Sequence, residues 1–302
     1  MELITIIGPT ATGKTAIAVR LSRLLGGSPV LSGDSRQVYR GMDIGTGKDL
    51  GEYIVDGVPV PRYLIDIADP GEQYNLARYL SDARHLLETL PETPVPILCG
   101  GTGLYIEALR KGYRLAEAPT DPVMRKRLSN LSKEKLRSMW HELKAPEDPE
   151  LPDEENPRRL VRAIELKLSE EAEGRKDFPT VTGPVFSIEL DRETRRRRIS
   201  DRLKARLQNG MIEEVEALIR KVGSPDPFIA YGLEYRFVTE YLLGRYTREE
   251  MEQKLETAIH RFAKRQMTWI RGMERRGLPL IRITPAEDPW ETARTILSLV
   301  SG

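Results

Sequence analysis

Apolar residues along this chain follow two rhythms. Short apolar runs stand at Leu3–Ile7, Pro29–Ser32, Tyr63–Ile67 and Val95–Cys99. The first is β-branched and ends on glycine and proline, and all four have the length of buried strands. Between them apolar residues return at helical spacing. Ile17, Leu21, Leu24 and Leu25 share one face of a helix over Lys14–Leu25, and Asn75–Leu90 is amphipathic. Strand and helix alternate, which predicts an α/β layer with a mostly parallel sheet. The rhythm changes near Pro119. From there to about Lys176 the chain is charged, helical and short of strand signals, with the acidic, proline-rich "KAPEDPELPDEENP" inside it. This reads as a helical insert, residues 119–177, within a core made of residues 1–118 and 178–302. "GPVFSIEL" then returns as a strand. Beyond it the spacing predicts helices over Glu193–Lys221, from Gly232 and over Arg248–Arg276. A last strand in "LPLIRI" and a last helix over Pro289–Leu299 follow.

Composition narrows the class. Hydrophobic residues make up 39% and charged residues 31% of 302, as in a soluble globular protein with a heavily charged surface. Lysine and arginine number 47 against 46 acidic residues, so a signal for nucleic acid must be local. A single cysteine, Cys99, excludes a disulfide framework and a cysteine zinc site, and suits a reducing cytosol. His85, His141 and His260 match no metal-ligand spacing. "MELITIIGP" is too short an apolar run for a signal peptide, and no stretch approaches the ~20 residues of a membrane span. The expectation is a cytoplasmic protein with no membrane contact and no evident protein partner, acting as a monomer.

Candidate chemistry begins at Gly8, Pro9, Thr10, Ala11, Thr12, Gly13, Lys14 and Thr15, which fit G-x-x-x-x-G-K-[ST] between a predicted strand and a predicted helix. That context is the one the phosphate loop needs, so the core is expected to be P-loop nucleoside-triphosphatase-like. Loop N–H groups and the helix N-terminus converge on an anion. Lys14 adds a full charge, and Thr15 can place a hydroxyl on Mg²⁺. The loop itself does not distinguish a nucleotide from a diphosphate ester.

Asp34, Ser35, Arg36 and Gln37 follow the second predicted strand, at the sheet edge where open α/β folds carry their sites. A carboxylate there binds Mg²⁺ through water or acts as a general base; as a bland alternative it caps a turn. Ser35 and Gln37 suit the edge of a base.

"GPTATGKT" and "DSRQVYRGMDIGTGK" together resemble the tRNA dimethylallyltransferase family. "CGGTGLYIEAL" (Cys99–Leu109), "NPRRLVRAIE" (Asn156–Glu165), "RRISDRLKARLQNGMIEEVEAL" and "FAKRQMTWIR" (Phe262–Arg271) continue the likeness in the family's order over nearly the whole chain. There are departures. "YGLEYR" (Tyr231–Arg236) stands where I-G-Y-[KR]-[EQ] is usual, "DIGTGKDL" replaces D-I-G-T-A-K-P, and Gly33 stands where alanine is common.

The resemblance implies transfer of a dimethylallyl group from dimethylallyl diphosphate to N6 of adenosine 37, beside the anticodon in tRNAs reading codons that begin with U, with release of diphosphate. The phosphate loop and Mg²⁺ would then hold a leaving group. Asp34 would accept an N6 proton, Thr10 would sit close to the reacting atoms, and Arg198 would be a second cation on the diphosphate. Arg198 also belongs to a run of four arginines, the usual makeup of a solvated face. The adenine must leave its stack to react. Ser35, Arg36, Gln37 and Thr102 are placed to meet it, and Arg125, Arg158, Arg159 and Arg162 to meet RNA phosphates, unless acids pair them. Arg261, Lys264 and Arg265 open a basic stripe on the late helix, while Phe262, Gln266 and Trp269 fall on its other, packing side, with Trp269 expected in the core in preference to a base-stacking platform. Three rival readings stand beside this one: a P-loop kinase of a small metabolite, an isopentenyltransferase of free adenine nucleotides, and an RNA-binding protein that has lost catalysis, against which intact Lys14, Thr15 and Asp34 argue.

Overall fold

The structure, a computed structural model, describes residues 1–113, 121–145, 154–169 and 181–301. The middle of "KAPEDPELPDEENP" and the expected domain boundaries at 118/119 and 177/178 lie outside the described residues. The chain divides into two compact units, Met1–Gly112 with Pro179–Gly302, and Tyr113–Phe178.

The first unit opens with β1 (Ile4–Ile7), α1 (Lys14–Leu24) and β2 (Val30–Ser32). The hairpin β3 (Ile54–Val55) and β4 (Val58–Pro59) follows, then β5 (Arg62–Tyr63), α2 (Leu76–Thr89), β6 (Ile97–Gly100) and α3 (Gly103–Arg110). In the second unit α4 (Pro122–Ser129), α5 (Lys133–Leu143) and α6 (Pro157–Leu168) pack around Leu128, Leu136, Trp140, Leu160 and Ile164. Asp121, Ser132 and Asn156 cap these three helices, each side chain accepting from a first-turn N–H. The chain returns to the first unit as β7 (Val185–Ile188), α7 (Arg192–Gln208) and α8 (Met211–Val222). It closes with α9 (Asp226–Ala230), α10 (Leu233–Leu242), α11 (Arg248–Arg275), β8 (Ile281–Ile283) and α12 (Pro289–Ser301).

Six strands form one parallel sheet in the order β5-β2-β6-β1-β7-β8. Every residue of β1, β2, β6 and β7 is buried. That explains their unbroken apolar runs, because a parallel sheet is covered on both faces. From β1 the chain passes over the place later filled by β6 to form β2, while β7 joins the other side. The carboxyl ends beside β1 therefore form the crevice where open α/β sheets bind ligands. Ile7 lies opposite Gly100 on one side and Ser187 on the other, so these ends are level.

Two of the expected elements take a different form. The strand expected over Tyr63–Ile67 stops at Tyr63, because Leu64 and Asp66 take left-handed backbone (φ 60° and 56°) that breaks the pleat. The helix expected over Glu193–Lys221 is two helices, parted at Gly210, whose φ of 95° ends one and starts the next. Among the described residues no helix is long and apolar enough to cross a membrane.

Candidate active site

The ends of β1, β2 and β6 open on a cavity of about 640 Å³. Thr10–Thr15 of the loop line it, whereas Gly8 and Pro9, expected with them, are not among the lining residues. A side chain cannot be accommodated at Gly8, where a Cβ would lie 2.6 Å from the Ile188 carbonyl oxygen. Ala11 and Gly13 turn left-handed (φ 65° and 78°), and Gly13 caps α1 without any side-chain bond. The first-turn N–H groups are thus left for a ligand, and the helix dipole favours an anion there. Thr12 Oγ1 and Lys14 Nζ both donate to the Pro9 carbonyl (3.0 and 2.7 Å), bracing the loop on itself. Burial pulls the Lys14 ammonium down to about 8, and neighbouring Arg202 pulls the same way.

The second cation is Arg202. Its Nη2 donates to Thr10 Oγ1, and its side chain lines the cavity. Arg198, expected in this role, is not among the lining residues. It stands one turn earlier on α7, and four residues further along the same face lies Arg202, which meets the loop. Burial draws the Arg202 guanidinium down to about 10, with Arg206, a second lining arginine, adding repulsion.

Asp34 follows β2 and lines the same cavity as Thr10 and Thr15. Its Oδ1 accepts from the Arg36 N–H at 2.9 Å, which fixes the carboxylate and leaves the other oxygen for a partner. The turn reading of Asp34 is thus correct locally, and compatible with a place in the cavity. Ser35 N–H donates to Thr102 Oγ1 at 3.0 Å, tying the ends of β2 and β6. Gln37 is used differently from the expectation. Its Oε1 accepts from Ser32 and its Nε2 donates to the Gly47 carbonyl (2.9 and 3.1 Å), so it holds the wall together. Arg36 lines the same wall.

Glycines let these walls close up. A Cβ at Gly100 would lie 2.3 Å from the Gly33 carbonyl oxygen, and one at Gly33 would lie 2.9 Å from Ile106 Cγ1. The paired glycines are there for close packing, and Gly33 in place of alanine is required by Ile106.

Two residues of α11 do more than the packing expected of them. Gln266 Oε1 accepts from the Thr10 N–H, and its Nε2 donates to the Gly101 carbonyl, both at 2.9 Å. One buried amide thus joins the phosphate loop to the β6 loop. The available signal was a polar amide among packing positions. Trp269, expected in the core, is 38% exposed and lines the cavity with Phe262. Its indole lies against Gly103, where an added Cβ would clash with the ring, and the Arg276 guanidinium stands over the ring, 5.3 Å from its centroid. Arg265 lines the cavity too, whereas Arg261 and Lys264 are exposed on α11 outside it.

In the second unit, Arg125 forks onto the buried Glu165 carboxylate (2.7 and 2.5 Å), and Arg162 reaches the same group at 3.4 Å. These two arginines serve the helix packing, as the ion-pair alternative allowed. Arg158 and Arg159 are exposed on α6.

For Mg²⁺ the donors present are the Thr15 hydroxyl and the Asp34 carboxylate, hard oxygens that line the same cavity. Among the described residues no group of three His, Cys, Asp or Glu side chains forms a dedicated metal cage. Few protein ligands beside a phosphate cradle fit an ion that keeps its waters and binds phosphate oxygens.

Known proteins resemble this chain along nearly its whole length. The IPP transferase model matches residues 37–273, and the isopentenyl transferase model matches residues 1–57. The chain is 46% identical over 283 residues to tRNA dimethylallyltransferase 1 of Azobacteroides pseudotrichonymphae, covering 92% of each. It is 48% identical over 280 residues to tRNA dimethylallyltransferase 1 of Porphyromonas gingivalis, covering 91% of each. The crystal structure of a tRNA isopentenylpyrophosphate transferase from Bacillus halodurans superposes with a TM-score of 0.69 at 30% identity, over 99% of this chain and 97% of that one. A eukaryotic dimethylallyltransferase acting on tRNA shares the fold, with a TM-score of 0.69 at 20% identity over 99% of this chain and 77% of that one. With a family model over most of its length and such relatives along nearly all of it, the chain belongs to the IPP transferase family, the tRNA dimethylallyltransferases.

Proposed function

We propose that this protein transfers the dimethylallyl group of dimethylallyl diphosphate to N6 of adenosine 37, on the 3′ side of the anticodon, and releases diphosphate. The observation that carries this reading is the shared cavity. A phosphate cradle with Lys14 and Arg202 on its floor faces a fixed carboxylate, Asp34, with one oxygen to spare.

In the reaction the bond between the donor's C1 and its diphosphate oxygen breaks, and a bond from C1 to N6 forms. The electron pair leaves with diphosphate. Loop N–H groups, Lys14 and Arg202 bind the growing negative charge, and each such preorganised donor is worth about 10²–10³ in rate. When bound, Mg²⁺ held by Thr15 would neutralise part of that charge. The proton released from N6 passes to Asp34, a contribution of roughly 10²–10⁴. An exocyclic amine is a weak nucleophile, so alignment matters as much. Thr10 is positioned for this: Arg202 holds its hydroxyl and Gln266 holds its N–H. Trp269 and Phe262 offer apolar surface on the same cavity for the five-carbon chain or an unstacked base. The exposed stripe Arg261, Lys264 and Arg265, with Arg158 and Arg159, supports contact with RNA phosphates. A tRNA substrate supports a cytoplasmic reaction.

The test uses labelled dimethylallyl diphosphate and Mg²⁺ with unmodified tRNA, and with AMP and ATP in parallel. Label at one adenosine of tRNA alone is expected. Label in the free nucleotides alone would replace the tRNA substrate by a nucleotide.

A further inference from the structure

Arg206 is a charged side chain in the cavity wall for which the reaction above has no use. It follows Arg202 by one turn on α7, and both line the cavity. The residue is only 9% exposed. Its Nη2 group is buried without a hydrogen-bond partner, and its Nη1 approaches Glu234 only to 3.9 Å, beyond hydrogen-bond range. A buried guanidinium with unmet N–H groups costs stability. Such a group is kept where something else meets it.

The neighbourhood is shaped around this side chain. Gly47 stands where the family pattern has alanine, and a Cβ there would lie 1.6 Å from Arg206 Nη2. Glu234, the nearest anion, lies in the departing segment "YGLEYR", at the place where the pattern aligned on Gly232 carries a lysine or arginine. Two departures from the pattern thus meet at one guanidinium: one leaves room for it and the other balances its charge. Arg202 is repelled by Arg206 and attracted by Glu234 and Asp49, so the two arginines and two acids form one coupled group beside the phosphate loop.

We propose that Arg206 is a further phosphoryl-binding residue of this cavity, completing with Arg202 a two-arginine clamp on a substrate phosphate. A guanidinium fork is suited to paired phosphate oxygens, and a second negative charge offsets the repulsion between the two arginines. Glu234 balances the charge of the guanidinium until that phosphate arrives and competes with it. The phosphate is the outer one of the donor diphosphate or the backbone phosphate beside the reacting adenosine. The inference rests on the transferase reading, and wild-type transfer to tRNA is its control; loss of that control would refute the transferase reading itself.

The experiment compares wild type with Arg206→Met, Arg206→Lys and Glu234→Gln. Inorganic diphosphate binding is measured by calorimetry, tRNA binding across a salt series, and KM for each substrate apart from kcat. If the donor is clamped, Arg206→Met weakens diphosphate binding and raises the donor KM by roughly 10–100-fold, with tRNA affinity unchanged. If RNA is clamped, tRNA affinity falls and its salt slope drops by about one. Arg206→Lys recovers part of the loss, because charge remains while the fork is gone. Unchanged diphosphate and tRNA binding in a folded Arg206→Met protein would refute the clamp. So would an equal loss in Arg206→Lys accompanied by a lowered Tm, since the side chain would then only support the Gly47 turn. Glu234→Gln separates the two again: it spares or tightens phosphate binding if Arg206 is a clamp, and weakens it if the pair is structural.

Discussion

At the scale of single residues, Asp34 is best tested by its amide. Asp34→Asn keeps an oxygen for the Arg36 N–H at 2.9 Å but removes the base. Turnover is expected to fall by about 10²–10⁴ while tRNA binding persists; a loss of tRNA binding instead would make Asp34 a support for the turn. Lys14 gives a pH test. Its proton is held less tightly than in an unfolded chain, since its value falls from 10.5 to about 8. The free protein therefore gives up this proton as pH rises past about 8, and a bound diphosphate restores it. Diphosphate binding should take up a proton between about pH 8 and 10 and weaken as pH rises through that window. Calorimetry in buffers of different ionisation enthalpy reads this directly, and no proton uptake would remove Lys14 from the phosphate. At this scale the sequence was a partial guide. The phosphate loop and Asp34 were legible because backbone-dominated motifs need fixed residues at fixed spacing. Arg202 was not separable from Arg198, because a run of arginines on a helix shows its facing side only once the neighbouring loop is in place. Gln37 was read toward a base, since nothing local marks Ser32 and Gly47 as its partners, and Gln266 could not be assigned, since Thr10 and Gly101 lie far away in the chain.

Among the elements, the break between α7 and α8 follows the helix that carries two cavity arginines. Arg202 and Arg206 line the cavity from α7, and Gly210 turns the chain into α8. Gly210→Ala places a Cβ at φ 95° and is expected to cost about 1 kcal/mol or more in thermal unfolding. A neutral result would mean that the turn relaxes without strain. The sequence merged these helices, because one glycine inside a helical pattern does not by itself show that its φ is positive. The short β5 was overestimated for the same reason: left-handed Leu64 and Asp66 leave no trace in hydropathy. In α6 and α4, Glu165 is the residue to change. Glu165→Gln removes the charge that Arg125 and Arg162 share, and is expected to lower the stability of the helical unit by about 1–3 kcal/mol. Its unfolding should be followed alongside that of Arg158→Ala, which is exposed and should leave Tm unchanged.

For the whole molecule, net charge conceals what the surface does. With 47 basic and 46 acidic residues the total is +1, yet Arg261, Lys264 and Arg265 lie together along α11. Substituting Arg261 and Lys264 by alanine should weaken tRNA binding about equally across sequences, and should flatten the salt dependence by about one unit for each phosphate no longer neutralised. An unchanged slope would place RNA elsewhere. The alternation of strand and helix made the parallel sheet legible from the start, because buried strands need uninterrupted apolar runs. The strand order was not, since it depends on crossovers and not on any local pattern.

The amide bridge from Gln266 to Thr10 joins residues 256 positions apart. At a ribosome adding about 5–20 residues per second, the two are made roughly 10–50 s apart. For that interval the phosphate loop exists with Thr10 unpinned, so a nascent chain cannot grip its donor as the finished protein does. Competence arrives late in synthesis, when α11 emerges and docks, and the chain's first functional motif is completed by one of its last helices.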